Sequence, residues 1–322
     1  MLVAAVLAGV ALAGCGEATN TIHPSAGTAN NITVVLAGPP TGYYVGLYEA
    51  QARGYFTQTD LNVKLQVPTA GQDPVAMVHG GKALVAVSSE PTVLLHRNED
   101  EPVVSVAALV HGPLGSITIP VPKAGPSGGS GLSGTGTNAT SGTTKTGSRA
   151  ATRTATTTTA TTPAVTTTSA STPQPTTTTI TEQDATIWPV AMQHAIQQPG
   201  TPTYNGLVLV VSKGSIVDDA GLLRRFVQAV ARGYRAARAN PAAAVRNMIT
   251  QVPALAPTKG LVLSTVNAAM PYFFPRGGKI WGYQRQSQWN LFGTWMTNHD
   301  FLDNPDATTD ASTNELLQGE GV

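Results

Sequence analysis

The sequence predicts an α/β fold, and two observations carry that prediction. Between residues 32 and 117, short apolar runs alternate with helical patterns, which is typical of a mostly parallel sheet with helices packed on its faces. A second series of strand and helix patterns begins near Thr203. With 322 residues, the chain is long enough for two domains or for one two-lobed protein.

In the first part of the chain, strands and helices follow one another in regular order. The first apolar run ends at the breaker pair Pro39-Pro40. Asp73 and Pro74 have the residue types of a helix N-cap and a first helical position. The predicted strands cover residues 32–37, 61–67, 83–87 and 103–110, and the predicted helices cover residues 44–52, 74–80 and 90–96.

The second part opens with a predicted strand at residues 204–211, followed by a long amphipathic helix capped by Asp218 or Asp219. The polar side of this helix carries Arg224, Arg225, Arg232 and Arg235. We interpret that side as a solvated face, with an anion site as the alternative. Three further helices are predicted at residues 242–250, at residues 259–270 and from Ser287 onward. The last helix carries an aromatic stripe that is expected in the core. The tail after Asp303 is expected to be loose.

The middle of the chain has a different composition. Between Glu101 and Glu182 there is no acidic residue, and from Ser133 to Thr179 the one large apolar residue is Val165. A Gly-, Ser- and Thr-rich segment of this kind buries too little apolar surface to offset its loss of chain entropy. We therefore predict disorder over residues 121–202, either as an authentic insert or as the product of a shifted reading frame.

The first residues have the features of an export signal. The apolar stretch at residues 2–14 is too short for a settled membrane-spanning helix and fits the apolar part of a signal peptide. Leu12-Ala-Gly-Cys15 looks like a bacterial lipobox, and Cys15 is the single cysteine of the chain. We predict that Cys15 is lipidated, that residues 16–31 form a tether, and that the protein is anchored outside the cytoplasm. A plain secretory signal is the alternative.

The sequence does not indicate catalysis. The six histidines show no metal-ligand spacing, and the cysteine is assigned to the signal region. A formal net charge of +1 does not favour nucleic acid as a partner. We therefore predict a protein that is not an enzyme and that has no metal and no cofactor.

A small-molecule binding site is better supported. Two tyrosines follow the stiff Pro39-Pro40 loop, and two serines and a glutamate end a strand and begin a helix. In α/β sheets the crevice beyond the carboxyl ends of the strands is where ligands bind, although each of these side chains could equally serve the core or a helix start. The candidate ligand-binding residues are Pro40, Tyr43, Tyr44, Ser88, Ser89 and Glu90.

Several motifs, in order, resemble the solute-binding lipoproteins of bacterial ABC importers. The nearest group binds thiamine pyrimidine precursors of the hydroxymethylpyrimidine type, and binders of alkanesulfonate, taurine and nitrate are related. The motifs are Gly46-Leu-Tyr-Glu-Ala50 with Gly54-Tyr-Phe56, Asp73-Pro74, Gly81-Lys-Ala83, Ser88-Ser-Glu-Pro91, Pro102-Val-Val-Ser-Val-Ala-Ala108, Arg225-Phe226, Gly233-Tyr234, Asn240-Pro241, Ala244, Trp281-Gly-Tyr283 and Thr313-Asn-Glu-Leu316.

This resemblance implies a type II periplasmic-binding-protein fold and a monomer that delivers a small polar solute to a membrane permease. In the family, the region after Ile117 builds a second α/β lobe, which low-complexity sequence replaces here. The implied architecture is one intact lobe formed by residues 32–120 and 203–317, with a tail at residues 318–322. Without the second lobe, we expect weak binding or none.

The resemblance leaves three other functions open. One is the binding of an alkanesulfonate-, taurine- or nitrate-type substrate. Another is a surface lipoprotein that uses its Thr- and Pro-rich segment as a spacer and transports nothing. The third is a pyrimidine-synthesising enzyme, because a fungal branch of the family makes the precursor. That branch needs a set of histidine and cysteine residues that this sequence does not show.

Overall fold

The computed structural model describes residues 30–117, 119–120, 177–178, 188–277 and 280–317. The predicted signal peptide with Cys15, most of the predicted tether, most of the predicted disordered segment and the tail lie outside these residues. Within them, no helix is both long and apolar enough to span a lipid bilayer.

The described residues are built around a five-stranded mixed sheet in the order β2-β1-β3-β7-β4. Its strands are β1 (Asn30–Val35), β2 (Leu61–Gln66), β3 (Val85–Ser88), β4 (Val103–Val110) and β7 (Leu207–Ser212). Strand β1 runs parallel to β2 and β3, whereas β7 lies antiparallel between β3 and β4. The carboxyl ends of β1, β3 and β4 and the amino end of β7 therefore meet at one edge of the sheet. Two short strands, β5 (Ile119–Pro120) and β6 (Thr177–Thr178), pair separately.

Helices cover both faces of the sheet. They are α1 (Val45–Ala52), α2 (Pro74–His79), α3 (Glu90–Asn98), α4 (Val190–Ala195), α5 (Lys213–Asp218), α6 (Ala220–Ala239), α7 (Pro241–Gln251), α8 (Lys259–Phe273) and α9 (Gln286–Asn298). One apolar cluster joins the sheet to α1, α6, α7 and α8, and a second joins its other face to α2, α3, α4 and α9. Because both faces are covered, all eight residues of β4 are buried.

Most predicted elements are present with bounds shifted by one to three residues. Strand β1 begins and ends two residues before the predicted 32–37, and β4 matches its predicted bounds. The Asp73 carboxylate accepts hydrogen bonds from the backbone N–H groups of Val75 and Ala76, so the predicted N-cap is confirmed. Asp219 holds the N-cap position of α6, but its side chain makes no capping hydrogen bond.

Three expectations need correction. Helix α5 was not predicted, because residues 213–218 show no clear apolar period. The predicted disorder over residues 121–202 does not hold for residues 188–202, which include α4 and the buried side chains of Trp188 and Met192. The tail after Asp303 is ordered up to Leu317, because the backbone N–H of Ser105 donates to Ala311 O and that of Thr313 donates to Ser105 O.

The crossing of α1 and α6 depends on two glycines. A Cβ atom on Gly233 would lie 2.0 Å from the carbonyl oxygen of Gly46, and one on Gly46 would lie 2.1 Å from the Tyr234 ring. The two helices can approach this closely only because neither position carries a side chain. The approach brings the Tyr234 hydroxyl within 2.8 Å of the carbonyl oxygen of Tyr43, to which it donates.

Candidate functional site

The candidate site lies at the sheet edge where the parallel strands end. Register pairs Ser88 of β3 with Val208, and Val110 of β4 with Leu207. The residues just beyond these pairs are therefore neighbours across the edge, although they are far apart in sequence. Four segments meet there: residues 36–44 after β1, residues 89–90 after β3, residues 111–113 after β4 and residues 204–206 before β7.

The segment after β1 presents the two predicted tyrosines in a 3-10 turn, Gly42–Tyr44, that leads into α1. Both tyrosine side chains are fully buried, whereas Pro40 is partly exposed. The turn packs tightly on α8, since a Cβ atom on Gly42 would lie 2.9 Å from Thr265 Cβ. With the hydrogen bond from Tyr234 to the Tyr43 carbonyl, the turn is held from two sides.

The segment after β3 carries Ser88, Ser89 and Glu90, all fully buried. Ser89 is the N-cap of α3, and its Oγ accepts a hydrogen bond from the backbone N–H of Thr92. The indole Nε1 of Trp188 donates to the Thr92 hydroxyl at 2.7 Å. The described stretch that starts with Trp188 is thus tied to the first turn of α3, beside the candidate site.

Glu90 is buried without an ion-pair partner in the described part of the chain. Its Oε2 accepts hydrogen bonds from the backbone N–H of Asn205 at 2.8 Å and from Asn205 Nδ2 at 2.7 Å, with a longer bond of 3.4 Å from Gln288. Burial raises the pKa of Glu90 to about 8, although the bonds from Asn205 act in the opposite direction. The side chain is therefore mostly uncharged at neutral pH.

Four polar atoms at this edge are buried without a hydrogen-bond partner among the described residues. They are Thr41 Oγ1, Glu90 Oε1, His111 Nε2 and Asn205 Oδ1. Burial, with a smaller effect from Arg285, lowers the pKa of His111 to about 4, so that its ring is neutral at physiological pH. Buried polar groups are nearly always paired in folded proteins. A group of four such atoms around one edge is consistent with a site that pairs them through a bound ligand.

The structure brings the predicted segments together at this edge, along with side chains that the sequence did not predict. Five of the six predicted residues are buried there, and Glu90 accepts hydrogen bonds from Asn205. His111 could have been found, because it follows a strand end as Ser88 does. Asn205 could not, because only the antiparallel placement of β7 brings residue 205 beside Glu90. In the described residues, no cluster of three or more His, Cys, Asp or Glu side chains is arranged to hold a metal ion.

The sequence also matches a known family. The NMT1/THI5-like family model matches residues 41–123 and 191–244 of this chain. The predicted resemblance is confirmed. The two matched segments contain every predicted binding residue except Pro40, together with Thr41, His111 and Asn205. The unmatched residues between them fall in the stretch of low-complexity composition.

Curated relatives match part of the chain. A formylaminopyrimidine-binding protein of Halalkalibacterium halodurans is 34% identical over 116 residues, which are 36% of this chain and 34% of that protein. A 4-amino-5-hydroxymethyl-2-methylpyrimidine phosphate synthase of Saccharomyces cerevisiae, THI11, is 29% identical over 86 residues, which are 27% of this chain and 25% of the enzyme. The chain thus spans about a quarter to a third of the length of these relatives.

Solved structures show the fold. A protein of Bordetella bronchiseptica RB50 superposes with a TM-score of 0.51 at 12% identity, covering 89% of this chain and 95% of that one. A Candida albicans protein described as having the generic periplasmic binding protein structural fold superposes with a TM-score of 0.50 at 10% identity, covering 89% of this chain and 97% of its own. The described residues have a periplasmic-binding-protein-like fold with a mixed sheet, which confirms the predicted fold class; the predicted loss of the second lobe falls outside them.

Proposed function

We propose that this protein is the solute-binding component of an importer and that its solute is an aminopyrimidine of the thiamine-precursor type. The observation that carries the proposal is the buried pair of Glu90 and Asn205 at the sheet edge. The pair leaves one oxygen of each side chain without a hydrogen-bond partner in the described part of the chain. Sequence similarity to a formylaminopyrimidine-binding protein supports the same solute class.

The pair has the hydrogen-bonding pattern that an aminopyrimidine requires. An uncharged Glu90 can donate a hydrogen bond from Oε1, and Asn205 Oδ1 can accept one. An aminopyrimidine presents a ring nitrogen that accepts beside an exocyclic amino group that donates. A neutral site of this kind favours an uncharged heterocycle over a sulfonate or nitrate anion, because a buried anion needs a cation or several N–H donors to offset its desolvation.

The site is closed in this structure, since Glu90 and Asn205 are at most 1% exposed. A ligand therefore enters only if part of the wall moves, as happens when two lobes open around a hinge. Because we predict that low-complexity sequence takes the place of the family's second lobe, we expect this chain to hold its solute weakly. We propose that it acts as a monomer outside the cytoplasm, anchored by lipidated Cys15, and that it delivers solute to a membrane permease.

Transport binding is favoured over catalysis for this chain. The similarity to the yeast synthases covers 86 residues and a quarter of the enzyme. The one cysteine, Cys15, precedes both segments that match the family, so neither segment offers a cysteine that could serve as a nucleophile. We accordingly propose that the chain binds a pyrimidine without converting it.

Titration of the full chain with 4-amino-5-hydroxymethyl-2-methylpyrimidine, monitored by ligand-detected NMR, tests the proposal. We expect a Kd of roughly 1 mM, or about −4 kcal/mol. Binding should weaken between pH 7 and pH 9, because Glu90 ionises with a pKa of about 8 and loses its donor. Glu90→Ala and Asn205→Ala should each weaken binding about tenfold, which corresponds to about 1.4 kcal/mol.

The matched control is Glu99→Gln, at the exposed opposite end of the same helix, which should leave the affinity unchanged. Taurine is titrated in parallel as a representative anion. Tighter binding of taurine than of the pyrimidine would contradict the proposal. So would pyrimidine binding that neither the change of pH nor either variant affects, and circular dichroism of each variant separates loss of binding from loss of fold.

A further inference from the structure

A cavity lies away from the sheet edge, between the last turns of α6 and the loop that follows α8. Its volume is about 330 Å³. Arg235 and Arg238 of α6 line it together with Arg276 of the loop, and the aromatic lining includes Phe274 and Trp281. Among the described residues that line it, none is acidic.

The three arginines are not neutralised in the described part of the chain. None of them forms an ion pair with a described carboxylate, and all three are exposed. Like charges around one small cavity repel each other, and an oxyanion bound between them would relieve that repulsion. Arginine is suited to this role because its planar fork of N–H donors matches phosphate oxygens.

The aromatic side chains restrict the cavity further. The guanidinium carbon of Arg238 lies 4.7 Å from the centroid of the Phe274 ring, a cation–π contact that holds the group in place. Trp281 is 7% exposed, and its indole Nε1 is buried without a hydrogen-bond partner among the described residues. An indole N–H can only donate, so the group that would pair it is a hydrogen-bond acceptor, such as an oxygen of an oxyanion.

Helix capping does not account for the whole arrangement. Arg238 is in the last turn of α6, where a cation offsets the partial negative charge of the helix end. Arg235 is almost one turn earlier, and Arg276 belongs to a loop. The charges of Arg235 and Arg276 therefore have no role in ending the helix.

We propose that this cavity binds a phosphate-type oxyanion, carried either by a soluble phosphate ester or by a phospholipid headgroup. Arg235, Arg238 and Arg276 supply the charge, and Trp281 supplies an uncharged donor. The proposal is independent of the solute bound at the sheet edge. A structural link between the two regions exists, because Trp281 stacks on Tyr234 with centroids 5.1 Å apart and Tyr234 donates to the Tyr43 carbonyl.

Titration with phenyl phosphate, monitored by tryptophan fluorescence and by calorimetry, tests whether the cavity binds a soluble phosphate ester. We expect a saturable fluorescence change that is absent from Trp281→Phe, and at least a tenfold loss of affinity in Arg235→Ser/Arg238→Ser. The matched control is Arg224→Ser/Arg232→Ser, which removes the same charge from exposed positions of α6 outside the cavity. This control should bind like the parent, and melting curves verify that both double variants are folded.

Co-sedimentation with vesicles tests the lipid source. Full-length chain carrying Cys15→Ala, so that acylation plays no part, is mixed with phosphatidylglycerol vesicles or with phosphatidylcholine vesicles. Binding to the anionic vesicles that only Arg235→Ser/Arg238→Ser weakens, with no response to phenyl phosphate, would assign the cavity to a lipid headgroup. Absence of binding to both probes, or equal losses in the two double variants, would overturn the proposal.

Discussion

Glu90 shows how one residue can have a local role and a functional role. It occupies the first turn of α3, where a negatively charged side chain interacts favourably with the helix dipole. Its burial beside Asn205, however, removes the charge on which that effect depends, because it raises the pKa of Glu90 to about 8. The first-turn acid that the sequence suggested is therefore better described as a neutral hydrogen-bonding group.

The stability of the protein should depend on pH through Glu90. Its pKa is about 8 in the folded chain against an ordinary value of 4.5, so the folded state retains a proton that the unfolded state releases. The stabilising contribution is fully present below about pH 4.5 and is lost as the pH rises to about 8. In Glu90→Gln this dependence should disappear.

Thermal or urea unfolding of both proteins between pH 4.5 and pH 9 measures the effect. The difference between the two curves is the relevant quantity, since His96 and His111 titrate in both proteins and largely cancel. We expect the parent to lose stability relative to Glu90→Gln as the pH rises. A constant difference across this range would show that Glu90 has an ordinary pKa.

At the scale of elements, the crossing of α1 and α6 determines the position of the 3-10 turn Gly42–Tyr44, which carries the two tyrosines. The crossing is formed by Gly46 and Gly233, and a second contact joins α1 to α7 through buried Glu49, whose Oε2 accepts from Asn247 Nδ2 at 2.9 Å. Both contacts lie on the same face of the sheet. They hold the start of α1, and with it Tyr43 and Tyr44, at the sheet edge.

Gly233→Ala should destabilise the protein by about 1–3 kcal/mol, because overpacking forces helices apart. The added Cβ would lie 2.0 Å from a backbone oxygen of α1. A backbone atom cannot move aside as the end of a flexible side chain can. Gly221→Ala is the matched control on the same helix: no atom of the described residues beyond its own stretch of α6 lies within 4 Å of its Cβ, and alanine is the better helix former by about 0.5–1 kcal/mol. Urea unfolding that shows equal changes in both variants would contradict a tight crossing.

At the scale of the whole molecule, the chain joins two distant segments into one sheet. Strand β7, which follows the long middle segment, lies between β3 and β4 of the first part. The family match has the same two-part form, with residues 41–123 and 191–244 matched. The predicted frame shift in the segment between them lies outside the described residues, and translation of codons 121–203 in the other two frames tests it. A frame encoding an α/β lobe would support the hypothesis.

A thermal shift assay tests the expected weak binding by the intact chain. A ligand at 100 times its Kd adds roughly 2.7 kcal/mol to the free energy of unfolding. With a Kd of roughly 1 mM, a few millimolar hydroxymethylpyrimidine is far below that ratio, so the melting temperature should barely change. A shift of several degrees would show that the chain as written has a complete binding site.

The sequence alone was sufficient to predict the order of most elements. Strands such as β4 are continuous apolar runs, and helix starts such as Asp73-Pro74 have local signatures, so each could be recognised from neighbouring residues. The same local logic identified the segments that carry Tyr43, Tyr44, Ser88, Ser89 and Glu90. It failed at α5 and at residues 188–202, whose order comes from contacts such as that of Trp188 with Thr92.

Tertiary structure alone decided how those segments combine. The antiparallel position of β7 places Asn205 against Glu90, 115 residues away in sequence, and burial then decides that the carboxyl group is uncharged. The cavity lined by Arg235, Arg238 and Arg276 likewise requires α6 and the loop after α8 to meet. Local sequence determines which elements form, because propensity and caps act over a few residues. The charge state and the partners of a buried group depend on which distant elements surround it.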